Sequence, residues 1–325
     1  MKKIDVHSHY ISPMYRDYLK KHFDGKADGV ATPNYDLDTT LETMEDNDID
    51  FSILSSSSPH INTGEKRYTL ELAQEVNEFA YSLVNQNREK LSFFASLPIP
   101  HVKESCFTVD YWEKIGIAGF TLPTNSRGIY LGNHCLAPIL EKLNQHHSIV
   151  LIHPNAPTNI PAVSEEIPYP ILEFFFDTTR TIINMLVNNV FEEYPNIRWI
   201  IPHAGAVLPM VVERVQNLTN KLNPSLSDNQ VDLKTILKKV YFDLAGYCLP
   251  QQLPALTNYS RFDHLLYASD ATYTPRNQVK TLATALEETT LISAENKQRL
   301  FYSNSFDLLK SKLELPSLKV AVTNS

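Results

Sequence analysis

Cysteine is scarce in this chain: Cys106, Cys135 and Cys248 are the only three among 325 residues. They are odd in number, far apart and never in Cys-x-x-Cys spacing. That excludes a disulfide framework or a thiolate metal knuckle and reads as reduced thiols. Basic residues never cluster and the net charge is -8, so no nucleic-acid surface is expected. No apolar run approaches the length that crosses a bilayer. Asp5, His7 and His9 stand where a secretory leader needs an uninterrupted apolar stretch. The expectation is a soluble cytoplasmic protein with neither a nucleic-acid nor a membrane partner.

Hydrophobic residues make up 43% of the chain and charged residues 20%, an ordinary globular balance that supports a large core. Eight apolar segments with strand character alternate with helical periodicity. They are Lys2–His9, Asp50–Ser55, Leu91–Leu97, Ile117–Leu122, Ser148–His153, Ile197–His203, Lys238–Asp243 and His264–Asp270. Ser12-Pro13 reads as an N-cap followed by proline in the first helical turn. Longer helices are expected over Glu65–Asn87, Leu172–Phe191, Pro275–Glu288 and Ser293–Lys312. The loop from Pro154 to Ile171 holds five prolines and reads as a binding loop or lid. Strand–helix alternation of this kind indicates a parallel (β/α)8 barrel. One such domain over residues 1–325, with a tail from about 313, fits the length.

Histidine is also a minor residue, eleven in all, yet its positions are not scattered. His7 and His9 are spaced i, i+2 on the first strand, so both imidazoles point the same way. His153, His203 and Asp270 end three further strands. In a barrel, C-terminal strand ends converge on one face, and imidazoles with a carboxylate there suit a divalent transition metal. Asp243, ending another strand, reads as a buried carboxylate bonding groups at the barrel top. His60, His101 and His134 fall in loops and read as solvated. Phe175, Tyr247 and Tyr273 either line a pocket or simply pack.

The carrying stretches are Asp5-Val6-His7-Ser8-His9, Leu151-Ile152-His153-Pro154 and Phe176-Asp177-Thr178-Thr179-Arg180, with Ile201-Pro202-His203-Ala204-Gly205, Leu208-Pro209 and Tyr267-Ala268-Ser269-Asp270. In these the chain, from Ile4 to about Leu309, resembles the amidohydrolase superfamily. Within it, the resemblance is to the branch of metal-dependent non-oxidative decarboxylases that act on salicylates, resorcylates and aminocarboxymuconate semialdehyde. It implies that His7, His9, His153 and Asp270 hold one divalent ion, zinc or manganese. No lysine ends a middle strand, where binuclear members carry a carbamylated one. His203 would stand beside the metal as base or water-orienting group, and Asp270 would serve as proton carrier.

The implied activity is a carboxy-lyase acting on a small hydroxy-aromatic or enol carboxylic acid. The alternative is a hydrolase of an amide, lactone or ester using metal-bound hydroxide; a degenerate binding protein ranks last. Arg180 reads either as a substrate anchor or as a structural partner for Asp177 or Glu165. Arg214, eleven residues after His203, matches the spacing at which the branch presents an arginine across a dimer interface, or is a helix-surface charge. A homodimer or larger assembly is therefore expected. Two departures stand out. Ala206 replaces a glycine that the branch commonly has, which narrows the space by the metal. The segment Asp38–Glu42 lacks the arginines of the semialdehyde decarboxylase, which favours a salicylate-like monoacid.

Overall fold

The computed structural model describes residues 1–158, 160, 167–222 and 232–313. Eight parallel strands follow one another around a barrel in chain order. They are β1 (Lys3–His9), β2 (Ile49–Ser55), β3 (Leu91–Ser96), β4 (Gly119–Pro123), β5 (Ile149–His153), β6 (Arg198–Ile201), β7 (Tyr241–Asp243) and β8 (Leu265–Leu266). β5 is apolar up to its histidine because the barrel interior covers one face and helices cover the other. The seam between β8 and β1 is closed by single contacts. Val6 N–H donates to Tyr267 O at 3.2 Å, Asp270 N–H to His7 O at 2.8 Å, and His9 N–H to Ala271 O.

Two apolar clusters separate cleanly. The inner one draws on all eight strands or their flanks, including Ile4, Val6, Phe51, Ile53, Phe94, Leu151, Ile200 and Leu266. It is stoppered at the end remote from the histidines by Leu308 and Leu309 of the helix Asn304–Leu309. The outer cluster joins the other strand faces to the helices, as Trp199, Phe93 and Phe120 do. Ser12 caps the helix Pro13–Phe23 through Tyr15 N–H, with Pro13 in its first turn.

β1 carries the feature that aims the site. Strict alternation would place Ile4 and Val6 on one face and His7 and His9 on the other. Asp5 pairs with Ser52 and Ser8 with Leu54, so three steps on β1 oppose two on β2. This bulge shifts the phase of the side chains. Ile4 and Val6 fill the barrel, and His7 and His9 still turn into its mouth. The Asp5 carboxylate braces the bulge, accepting from His7 N–H at 3.1 Å, Ser269 N–H at 3.1 Å and Ser269 Oγ at 2.5 Å.

Other elements depart from the sequence pattern for identifiable reasons. The segment Leu172–Phe191 is two helices, Glu173–Val187 and Val190–Glu193, parted by Asn189 in the left-handed conformation (φ 60°). β8 is two residues long because the chain bends after Leu266 to bond β1. The stretch after Pro123 contains a small antiparallel ribbon, Asn125–Ser126 with Ile129–Tyr130. Its turn residues Arg127 and Gly128 both have positive φ, as a tight hairpin demands. All but one residue of the expected C-terminal tail lies outside the described residues. Among the described helices none is long and apolar enough to cross a membrane.

His60 is not solvated. It is buried, and neither ring nitrogen has a hydrogen-bond partner; burial pushes its pKa down to about 3. A folded-state value below the usual 6.5 means that acid protonates the unfolded chain first. Stability from this residue is therefore lost as pH falls from 6.5 towards 3, at about 1.4 kcal/mol per pH unit. Unfolding free energies of the protein and of His60→Leu at pH 7.5 and pH 5 should show a smaller drop in the variant, by about 2 kcal/mol. Equal drops would mean that His60 is already charged in the folded protein.

Candidate metal centre and its cavity

His7, His9 and His153 meet at the C-terminal mouth of the barrel, fully enclosed, with one ligating atom from each within 4.8 Å of the others. Each imidazole is held from behind. His9 Nδ1 faces Ser55 O at 3.2 Å and His153 Nδ1 faces Pro154 O at 2.8 Å. A carbonyl only accepts, so the proton sits on Nδ1 and Nε2 is left bare. His7 Nδ1 lies 2.9 Å from Asp243 Oδ2, which directs its Nε2 inward in the same way. Backing acceptors of this kind are what fix metal-binding histidines.

The His7 and His9 Nε2 atoms are only 3.1 Å apart, and Asp270 Oδ1 lies 3.0 Å from the latter. Lone pairs so close require a positive charge among them. The surroundings ask for it as well. Burial works against a charged His7, yet Asp243, Asp270 and Asp5 override it and lift its pKa to about 9. Burial lowers the pKa of His9, and burial with the neighbouring imidazoles lowers that of His153 much further. Both are therefore neutral, as ligands must be, and an ion at the centre would take the place of the proton on His7 Nε2. Three imidazole nitrogens and a carboxylate oxygen fit one divalent ion of the zinc or manganese type.

Asp270 is buried enough to favour its neutral form, but the nearby His203 imidazole, the hydrogen bond from His9 and the charge on His7 hold its carboxyl well below the usual range. His203 stands outside the three-histidine group, its Nε2 3.8 Å from Asp270 Oδ2. Phe175 stacks on its ring with centroids 5.8 Å apart. Its backbone N–H donates to Asp243 Oδ1 at 2.9 Å, and Ala245 N–H donates to the same oxygen at 3.1 Å. Asp243 is thus a buried structural carboxylate. Its pKa stays low despite burial because His7 faces it.

A cavity of about 600 Å³ opens above the centre. His153, His203 and Asp270 line it where it meets the centre, and Phe174, Phe175, Tyr247, Tyr273 and Asp28 line the rest. None of the described residues lining it is a lysine or arginine. Arg180 is not on the wall. It lies one helical turn from Asp177 and bonds its Oδ1 at 2.8 Å, in a cluster where Thr124, Asn125 and Tyr130 also donate to that carboxylate. Glu165, the other partner considered for it, falls outside the described residues. Arg214 is exposed on the helix Leu208–Leu222, away from the cavity lining. His134 is exposed and His101 half-buried. Asp28 gave no signal in the sequence: an Asp-Gly pair in a glycine-containing loop reads as a solvated turn.

Comparison with known proteins agrees with this geometry. A family model described as "Amidohydrolase" matches residues 4–310. The chain belongs to the amidohydrolase family. A solved structure described as an amidohydrolase II is 44% identical, with a TM-score of 0.91, covering 95% of this chain and 100% of that one. Decarboxylase yanB of Aspergillus niger is 28% identical, covering 100% of this chain and 92% of that protein. The 6-methylsalicylic acid decarboxylase of Penicillium expansum is 25% identical, covering 88% and 90% respectively.

In this member of the family, Ala206 affects the backbone rather than the cavity, which it does not line. His203, Ala204, Gly205 and Ala206 all have positive φ, and Ala206 sits at φ 56°, ψ -126°, a region that suits glycine. Gln252 braces the turn from its side chain, donating to His203 O at 2.7 Å and Ala206 O at 2.9 Å. Strain of this type costs on the order of 1–3 kcal/mol. Ala206→Gly should therefore raise the melting temperature by about 1–3 °C, where an ordinary buried Ala→Gly change lowers it. Calorimetry showing a fall would mean that the methyl packing outweighs the strain.

Proposed function

We propose that this amidohydrolase is a metal-dependent non-oxidative decarboxylase of a small hydroxy-aromatic or enol carboxylic acid. The observation that carries the reading is a cavity with flat aromatic walls, one cation-binding centre at its floor and no basic side chain along the described lining. A single carboxylate has one place to go, at His7, His9, His153 and Asp270. The relatives' names support a carboxy-lyase over a hydrolase. A divalent ion held by those four residues would chelate the carboxylate and an adjacent hydroxyl and draw charge off the ring.

The protein's own groups supply the rest. Phe174 and Phe175 keep the ring in one plane and exclude water. Breaking the bond between the ring carbon and the carboxyl carbon leaves an electron pair on the ring, released as CO2 departs. A proton must then reach that carbon. Asp270 is held ionised, and His203 stands beside it with Nε2 3.8 Å from Oδ2. His203 delivers the proton, Asp270 stabilises the resulting charge pattern, and Phe175 fixes the angle of delivery. A cytoplasmic location, consistent with three unpaired thiols, belongs to the same proposal.

The test is CO2 release from a panel of hydroxybenzoates by protein loaded with manganese or zinc. Absence of CO2 together with hydrolysis of esters or amides would replace this reading with the hydrolytic one. Metal analysis should give one ion per chain. His7→Ala and His153→Ala should lose both metal and turnover. His203→Ala should keep its metal and lose about 10²–10⁴-fold in turnover. Metal loss in His203→Ala equal to that of His153→Ala would make His203 a ligand.

The same proposal includes assembly into at least a dimer in which Arg214 serves the neighbouring chain's cavity. Among the described residues Arg214 has no hydrogen-bond or ion-pair partner. Met210, one helical turn before it, is 73% exposed, and Ile171 and Tyr247 at the cavity mouth are 67% and 75% exposed. Apolar surface of this kind calls for a cover, and an arginine fork suits a carboxylate or phenolate. Arg214→Ala should weaken substrate binding by on the order of 2 kcal/mol, whereas a plain surface charge would change stability by a few tenths. Kinetics with sedimentation distinguish them, and a fully active monomer would end the idea.

A further inference from the structure

Asp28 is an acid in the cavity wall, and among the described residues lining that cavity there is no lysine or arginine. It lies in the turn Ala27–Gly29, at φ 56° and ψ 22°, a left-handed conformation that aspartate tolerates better than most residues. The turn is wedged in place: a Cβ on Gly29 would meet Pro168 Cα at 3.0 Å, and Pro170 and Ile171, just beyond, share the cavity wall with Asp28. The Ser58 hydroxyl leans towards the carboxylate. Its single proton is taken, however, by Asn155 Oδ1 at 2.8 Å. Asn155 is itself fixed in that orientation by its Nδ2 donating to Asn125 O at 3.0 Å.

Tyr273 provides a second, independent sign on the same wall. Its hydroxyl is buried with no partner in hydrogen-bonding geometry, although Ser57 approaches and the Asp28 charge acts on it. The Tyr273 ring meets His9 edge-on, centroids 5.6 Å apart. Tyr273 and Asp28 both line the cavity; among the described residues the buried Tyr273 hydroxyl has no hydrogen-bond partner, and half-buried Asp28 is approached by the Ser58 hydroxyl, whose proton goes to Asn155. Buried groups left in this way cost stability unless a ligand satisfies them.

Resting on the decarboxylase reading above, we infer that Asp28 selects substrates bearing a second hydrogen-bond donor, a ring hydroxyl or amino group, on the side turned away from the chelated carboxylate. A carboxylate accepts and does not donate, so a donor on the ring completes it. A second carboxylate in that position meets like charge and is excluded. Burial raises the Asp28 pKa to about 6, which leaves it ionised at pH 7.5. A site built to hold a hydroxyl rejects the analogue lacking it far more strongly than an apolar wall would.

Binding and turnover of 2-hydroxybenzoate are compared with those of its 4- and 5-hydroxy derivatives, using the manganese-loaded protein at pH 7.5. The protein should bind at least one dihydroxy isomer ten-fold or more tighter than 2-hydroxybenzoate. Asp28→Ala should erase that preference while changing 2-hydroxybenzoate affinity less than about three-fold and leaving metal content at one per chain. Asp28→Gly, which accepts the left-handed backbone, serves if the alanine variant misfolds, and Asp28→Asn, which keeps one acceptor oxygen, should fall between. No preference in the unaltered protein, or an equal loss for both ligands in the variants, would overturn the inference. Calorimetric binding needs no turnover. Failure to release CO2 from any compound would sink the decarboxylase reading and leave the comparison of affinities decisive.

Discussion

The structure of this site depends on one buried carboxylate that touches no substrate. Asp243 receives His7 Nδ1 on one oxygen and the backbone N–H groups of His203 and Ala245 on the other. It thereby ties the first strand to the ends of the sixth and seventh. A carboxylate in this position holds the His7 ring at a fixed tilt and sets its tautomer. The same carboxylate anchors the start of the strained left-handed run His203–Ala206. Orientation of the His7 ring and placement of the His203 imidazole are thus two outcomes of a single hydrogen-bonding centre. Altering Asp243 disturbs both together.

Much of this was legible in the sequence because the relevant signals are periodic or terminal. Strand–helix alternation gave the barrel, and residues at strand ends converge by geometry alone, as His7, His9, His153 and Asp270 do. What was not legible depends on non-local packing. The β1 bulge has no signature in Ile4-Asp5-Val6-His7-Ser8-His9, yet without it the histidines and the apolar core residues would compete for opposite faces. His60 looked like a loop residue and is buried without partners. Asp28 carried no signal in the sequence and lines the cavity, because its loop is pinned by another loop some 140 positions away. The two readings of Arg180 could be separated only by seeing Asp177, one turn earlier on the same helix, buried among three other donors.

Charge within the cavity is arranged unusually sparsely. Beneath the floor the carboxylates of Asp243, Asp270 and Asp5 raise the pKa of His7 against the effect of burial, and the described lining offers aromatic rings and acceptors. Under the proposed function such a distribution would orient a substrate with its acid end at the floor and any donor towards the wall. Arg180, spent on Asp177, leaves that distribution undisturbed.

The seam between β8 and β1 gives the centre another significance. His7 and His9 lie near the start of the chain and Asp270 lies 261 positions beyond His9. The barrel floor is filled later still, by Leu308 and Leu309. During synthesis on the ribosome, the first strand must therefore wait for nearly the whole chain before finding its last neighbour. Such long-range closure is slow and leaves strand edges exposed meanwhile. An ion held by residues from both edges, as proposed, would act as a latch on the finished barrel. Metal supply would then bear on how much of the newly made protein escapes aggregation, as well as on how fast the mature protein turns over.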